Sequence, residues 1–291
     1  MNNKAQYRKF CAANAVFPVF ANPLWLDAVA EEWNVALHTD EQNQIIAALP
    51  YCLKGHLLTR RIYLPDVSFY QSVLFFRAVS KKEKQKIGEA LFRQLPLTVK
   101  SYFKFLPEHA AIELGKINYQ KEDYSTYIIQ PENELLLSNN HKRNVQKGIK
   151  YNFQVKESKN PEASFAVLTS TFTRQNIKPK ITIDEFIQLN AVCKKHKLGK
   201  ILDCYDTDKH LIASAFIAED IQTAYYLFGG YDIRFKNSGA MTFLLHYTIQ
   251  YTLQRGLQFN FCGSSKKSIA AYFEGFGAHK IPITIWKKTI I

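Results

Sequence analysis

The chain lacks any uninterrupted apolar run approaching the roughly 18–20 residues that a bilayer-spanning helix needs; stretches such as residues 73–76 are strand-sized. It also lacks a cysteine framework. Its 5 cysteines (Cys11, Cys52, Cys193, Cys204, Cys262) are odd in number and widely spaced, and none forms a C-x-x-C pair, so buried thiols in a reducing compartment are expected. No histidine stands near Cys262 in sequence, which argues against a thiol nucleophile. The 8 histidines include no H-E-x-x-H spacing, so no metal site is expected. Negative charge is short as well: 25 Asp and Glu against 38 Lys and Arg leave a formal charge of +13.

That imbalance favours a polyanionic partner: nucleic acid, a phosphorylated cofactor such as coenzyme A, or an acidic membrane surface. A basic protein with no such partner stays open beside these. What the chain does have is apolar material, 47% hydrophobic residues with 21 Phe and 16 Tyr, enough for packed cores and unlike a disordered segment. At 291 residues it exceeds the usual size of one core, so two domains are expected, residues 1–130 and 131–291. Lys4, Arg8 and Lys9 ahead of residues 10–20 imitate a secretory signal, but Asn14 and Pro18 interrupt the apolar part. Trp25, Leu26 and Val29 then continue as a core helix, and a cytoplasmic location is expected.

In the first half the pattern predicts a helix opening at Asn22, with Pro23 at its start and Trp25, Leu26, Val29 and Trp33 on one side. Strands are predicted at residues 44–52, 62–64, 72–76 and 110–114, and an amphipathic helix at 81–95. Ser138 caps a predicted helix over 141–150 whose Arg143, Lys147 and Lys150 form a basic stripe opposite Val145 and Ile149. A solvated helix face reads the same way, and Gly148 weakens the helix slightly. The second half reads more cleanly. Helices at 162–172 and 184–196 precede strands at 201–205, 211–218 and 223–228, whose short polar turns make an antiparallel meander. A helix at 241–255 stopped by Gly256, a strand at 257–261, a short helix at 268–273 and a strand at 281–286 follow.

The most informative segment runs from Tyr225 through Phe228-Gly229-Gly230-Tyr231-Asp232 and Arg234-Phe235-Lys236-Asn237-Ser238-Gly239 into a long helix. A helix N-terminus offers unpaired N–H groups and a positive dipole end, where a phosphate or carboxylate is stabilised. Arg234 and Lys236 add full charges, and Ser238 and Gly239 permit close backbone approach. An ordinary capped helix with two solvated cations is the alternative reading.

Residues 225–286 resemble the second half of a GNAT domain, in which a strand, a pyrophosphate-binding loop and a helix precede a strand that splays from its neighbour. The whole chain resembles the FemABX and related acetyltransferase-like group. The residues that carry this are Pro18 to Trp25, Ala48-Leu49-Pro50, the run from Asn139 to Lys147, Gly229 through Ser238 to Arg255-Gly256, Phe259-Asn260-Phe261-Cys262-Gly263 and Phe273-Glu274-Gly275-Phe276-Gly277. The resemblance implies an α/β (α+β) chain of two tandem GNAT-like domains, each a mixed, largely antiparallel sheet flanked by helices. It implies an N-acyltransferase whose donor is acyl-CoA or aminoacyl-tRNA and whose acceptor is a small-molecule or peptidoglycan-precursor amine.

Two departures qualify the donor. Lys236 to Met241 matches the Q/R-x-x-G-x-G/A phosphate loop only in one basic residue and one glycine. Where many GNAT enzymes place a tyrosine that protonates the leaving group, this chain has Phe273, with Tyr272 one residue away. The expected donor contacts are Phe228, Gly229, Arg234, Lys236, Asn237, Ser238 and Gly239, with Asp232 and Tyr272 as catalytic candidates. The expected substrate contacts are Tyr70, Gln71, Arg143, Lys147, Tyr231, Ser264 and Ser265. A GNAT-fold module without catalysis that binds RNA or another polyanion is the competing expectation.

Overall fold

The computed structural model describes residues 2–15, 18–56, 58–174, 178, 179, 181–264 and 266–290. In chain order the first elements are α1 (Asn3–Ala13), α2 (Pro23–Val29), β1 (Glu32–Thr39), β2 (Ile45–Lys54), β3 (Arg61–Tyr63), β4 (Leu74–Phe75), α3 (Lys81–Arg93), β5 (Lys100–Lys104) and β6 (Gln120–Ile129). Then come α4 (Asn139–Lys150), β7 (Gln154–Glu157), α5 (Pro161–Arg174), α6 (Ile183–His196), β8 (Gly199–Tyr205), β9 (Leu211–Glu219) and β10 (Thr223–Tyr231). The chain continues through α7 (Ala240–Gln254), β11 (Gln258–Asn260), α8 (Lys267–Glu274) and β12 (His279–Thr289). The chain divides into two compact units, Met1–Ser125 with Pro282–Ile291, and Thr126–Ile281.

In the first unit the strands lie in the order β1-β2-β3-β5-β12, with β4 on β2. All pairings are antiparallel except β3 with β5. One core joins Leu49, Leu91, Phe92, Phe103, Phe105 and Trp286, and another joins Tyr7, Leu26, Trp33, Val35 and Cys52. The helix opened by Asn22 ends at Val29, because Ala30 is already extended at φ −107°, ψ 139°. Trp33 therefore belongs to β1, where Trp33, Val35 and Leu37 alternate inward with the period of a strand. The strand expected at 110–114 is absent. Ile112 and Leu114 are buried there, but the backbone turns, Ile112 N–H donating to the His109 carbonyl. Strands β1, β5, β6 and β7, and helix α1, carry no pattern that the sequence reading recognised.

The second unit orders its strands β6-β11-β10-β9-β8-β7. The meander β8-β9-β10 is antiparallel as predicted, whereas β10 and β11 pair in parallel, the intervening α7 supplying the crossover that a parallel pair needs. Leu244, Leu245 and Ile249 of α7 pack with Phe259, Phe261, Phe273 and Phe276 in one core. Asp203 is fully buried on β8, and its carboxylate accepts from Ser164, Ser214 and Tyr205, which ties α5 to the sheet. Helix starts follow side-chain capping: Thr182 and Glu185 form a capping box at α6, and the Ser138 hydroxyl accepts from His141 N–H at α4.

Helix α4 shows where periodicity misleads. Val145 is inward, but Ile149 is 58% exposed and Gly148 is buried in its place. A Cβ on Gly148 would stand 2.2 Å from Cδ2 of Phe243 on α7. On propensity alone, Gly148→Ala stabilises a helix by up to about 1 kcal/mol; against that ring, overpacking costs about 1–3 kcal/mol. Chemical denaturation is expected to find the alanine variant less stable than the parent, and a stabilised variant would remove the packing role assigned to this glycine.

Candidate functional site

Strand β10 creates the site by outrunning its neighbour. Its pairing with β11 ends at Tyr225–Asn260, while β10 continues to Tyr231. On its other side the register against β9 shifts between Tyr226 and Phe228, a bulge that increases local bending. The strand then turns through a short helical turn at Ile233–Phe235 into Gly239, the residue preceding α7.

Gly239 is required there twice over. Its φ is +80°, and a Cβ would lie 2.9 Å from the Asn144 carbonyl oxygen of α4. Lys147, one turn further along α4, donates its Nζ to the Asn237 carbonyl at 3.1 Å. Gly148 and Gly239 thus let α4 lie directly against the start of α7, and Lys147 fastens the connecting loop. The Ser238 hydroxyl accepts from Ala240 N–H at 3.1 Å, while Gly239 supplies no side chain to the first turn.

A cavity of about 580 Å³ opens at this junction. Lys147, Lys236 and Asn237 line one part, Gly239, Ala240, Met241 and Thr242 the helix end, and Ser268, Ile269 and Tyr272 of α8 another part, with Tyr231 and Phe235 completing it. No carboxylate is among these described lining residues. Two ammonium groups beside the positive end of a 15-residue helix make the space attractive to an anion.

Tyr272 is the titratable group at this wall. Its hydroxyl lies 3.2 Å from the Thr242 hydroxyl. Burial drives its pKa well above 10, the Thr242 hydrogen bond opposing and the Tyr231 charge adding to it. The phenol is therefore a proton carrier throughout the neutral range. Behind it stands His141, 3% exposed, with its ring centroid 5.0 Å from Tyr272 and 4.3 Å from Phe276. The Ser138 hydroxyl lies 2.8 Å from His141 Nδ1, and Gly275 leaves the notch that the ring fills, a Cβ there standing 2.2 Å from Cε1. Burial lowers the pKa of His141, with the Tyr272 backbone opposing.

The structure brings Lys147, Tyr231, Lys236, Asn237, Gly239 and Tyr272 together at the cavity. Other expected residues lie around or away from it. Asp232 accepts from Arg234 N–H at 2.9 Å, and its carboxylate pairs with the Arg234 guanidinium at 2.6 Å, so these two charges answer each other within the loop. Phe228 packs on Phe186 and Phe216. Gly229 makes room for the Tyr226 hydroxyl and the Met241 methyl group. Arg143 is exposed on α4. The Ser264 hydroxyl accepts from Lys266 N–H, and Ser265 lies outside the described residues.

Tyr70 and Gln71 belong to the first unit. Tyr70 is 2% exposed and packs on Phe20 and Phe69. The Gln71 amide accepts from Cys52 N–H and donates to the Tyr102 carbonyl, mending the gap between two strands. Sequence reasoning missed Asn144, Thr242, Ser268 and Ile269. Thr242 is within reach of a rule, since side chains of a helix's first turn flank its N-terminus, but Ser268 and Ile269 arrive through tertiary packing. Among the described residues, Asp206, Asp208 and His210 on an exposed turn hold ligand atoms within 4.8 Å of one another, and Asp206 already bonds His210. No described helix is long and apolar enough to cross a membrane.

Residues 139–273 match the acetyltransferase (GNAT) domain family. Among solved structures, FemX is similar at 11% identity over 98% of this chain and 96% of that one, with a TM-score of 0.69. L-PGS from Bacillus licheniformis is similar at 11% identity over 99% of this chain and 92% of that one, with a TM-score of 0.59. A tandem GNAT protein from the clavulanic acid biosynthesis pathway gives 8% identity over 99% and 94%, with a TM-score of 0.53. No curated protein sequence matches the chain. The mixed sheets flanked by helices thus have a GNAT-type fold, shared with FemX and with a tandem GNAT protein, as the resemblance implied.

Proposed function

Proceeding from a GNAT acetyltransferase domain over residues 139–273, we propose that the chain is an N-acyltransferase that moves an acetyl or aminoacyl group from acyl-CoA or aminoacyl-tRNA to an acceptor amine. The observation that carries this reading is the cavity of about 580 Å³ at the start of α7, lined by Lys147 and Lys236 and by no described carboxylate. Both donors bring phosphate, and a helix N-terminus flanked by ammonium groups is a site for it. Lys236, Asn237, Gly239 and Lys147 hold the donor phosphate. Arg143, exposed beside these residues in the chain, extends positive charge beyond the cavity.

In the transfer, the neutral amine nitrogen attacks the donor carbonyl carbon and a C–N bond forms. The C–S bond of a thioester, or the C–O bond of an ester, then breaks. Tyr272 gives its phenolic proton to the departing sulfur or oxygen and is reprotonated, through solvent, by the proton that the attacking nitrogen sheds as the amide forms. Backbone N–H groups in residues 226–229, where β10 leaves β11, meet the developing oxyanion. Tyr231 faces the acceptor, a small-molecule or peptidoglycan-precursor amine.

The test is donor binding by calorimetry with acetyl-CoA and with aminoacyl-tRNA, followed by transfer to a panel of amines. A hydrogen bond to a charged group contributes about 1.5–3 kcal/mol, so Lys147→Ala and Lys236→Ala are each expected to weaken the bound donor roughly tenfold or more. Binding of neither donor, or binding indifferent to both substitutions, would sink the reading. RNA carrying no acyl group, bound with steep salt dependence and with no transfer, would mark a non-catalytic polyanion-binding module instead.

A further inference from the structure

The first unit holds a separate cavity of about 330 Å³ between β4, α3 and the turn at Pro107–His109. We propose that it recognises a small zwitterion with an apolar body, the chemistry of a free apolar α-amino acid. Its walls are Leu74, Phe75, Phe76, Val79 and Leu106. Arg77, Lys84 and Glu108 add charges of both signs to the lining. None of these three forms an ion pair within 4.0 Å among the described residues.

Each wall feature selects part of the ligand. The volume lies at the lower end of small-molecule sites, suited to a single amino acid. Lys84 Nζ stands 5.5 Å from the Phe75 ring centroid, so a carboxylate bound by Lys84 and Arg77 has an aromatic surface beneath its apolar part. Glu108 is exposed at the mouth, yet the surrounding wall desolvates its carboxyl enough to raise its pKa, Lys84 opposing. An ammonium group placed there relieves that carboxylate, whereas a purely anionic ligand meets repulsion. His109, 6% exposed, closes the cavity with its ring 5.2 Å from Phe75. Burial holds it neutral at pH 7, so it adds no further charge to the wall.

The site does not depend on the acyltransferase reading, and its test needs no turnover. Calorimetry on the full chain would use L-leucine, N-acetyl-L-leucine, which lacks the ammonium, and L-leucinamide, which lacks the carboxylate. L-leucine is expected to bind saturably below about 10 mM, and each analogue about two- to fivefold more weakly, the loss expected when one half-exposed charge pair is removed. Lys84→Ala and Glu108→Gln, both at the rim, are each expected to weaken leucine about two- to fivefold, and less at high salt. Lys84→Ala should bind leucinamide, and Glu108→Gln should bind N-acetylleucine, at least as tightly as the parent does, since each substitution removes a like charge. No saturable binding of leucine, indifference to both substitutions, or N-acetylleucine bound as tightly as leucine would each overturn the proposal. Lys147→Ala is expected to bind leucine as the parent does, which separates this site from the donor cavity.

Discussion

Tyr272→Phe is expected to lower kcat by about a hundredfold or more while leaving the donor's binding constant near that of the parent, because positioned proton transfer contributes about 10²–10⁴ to a rate. The substitution removes the hydroxyl alone. The ring keeps its contacts with His141 and Phe276, and the lysines proposed to hold the donor phosphate stand on other elements, Lys147 on α4 and Lys236 in the loop before α7. Loss of turnover without loss of donor is therefore the signature of a group used in the transition state. The pH profile gives a second readout. Burial raises the Tyr272 pKa well above 10, so the phenol stays protonated from neutral pH to about pH 9, and no alkaline decline from this residue is expected over that range. Full turnover in the phenylalanine variant would remove Tyr272 from the mechanism and leave solvent as the proton source.

How far the sequence led to this site depends on what each residue does. The start of α7 was legible because its signals are local: a strand, a glycine at positive φ, and a helix with inward Leu244, Leu245 and Ile249. The division of labour among nearby cations was not. Arg143 and Lys147 share a helix stripe, yet only Lys147 reaches the cavity, because Gly148 and Gly239 bring that turn of α4 against α7. Read alone, Gly148 is a weak point in a helix; its use becomes visible only with Phe243 beside it. Arg234 looked like a phosphate ligand, but Asp232 two residues earlier engages its guanidinium, a pairing that spacing does not reveal. In the first unit the short β3 and β4 were foreseen at 62–64 and 72–76, whereas β6, with 10 residues, was not: it opens on exposed residues and closes on buried ones, so no period-2 alternation marks it. There Gln71 acts through its amide as a substitute for backbone pairing, which no alternation of apolar and polar residues encodes.

Acidification is expected to destabilise the fold through histidines held neutral inside it. His109 is 6% exposed; burial lowers its pKa from 6.5 to about 4, the Lys84 charge adding to the effect and the Val73 backbone opposing it. Burial shifts His141 and His246 the same way. The sign follows from proton uptake. Above about pH 6.5 neither folded nor unfolded chain binds a proton at these rings, and their contribution to stability is complete. Below it the unfolded chain takes up protons that the folded one refuses, so stability falls until the folded pKa is reached. For His109 the interval from 6.5 to about 4 corresponds to roughly 3 kcal/mol. Urea titrations at about pH 7.5 and about pH 4.5 would measure it, with His109→Gln as the comparison. The glutamine variant starts less stable at the higher pH but is expected to lose roughly 2–3 kcal/mol less on acidification than the parent. The difference between the two pH dependences isolates the titration from any packing defect. Equal losses in parent and variant would mean that His109 takes up its proton as readily in the folded chain as in the unfolded one.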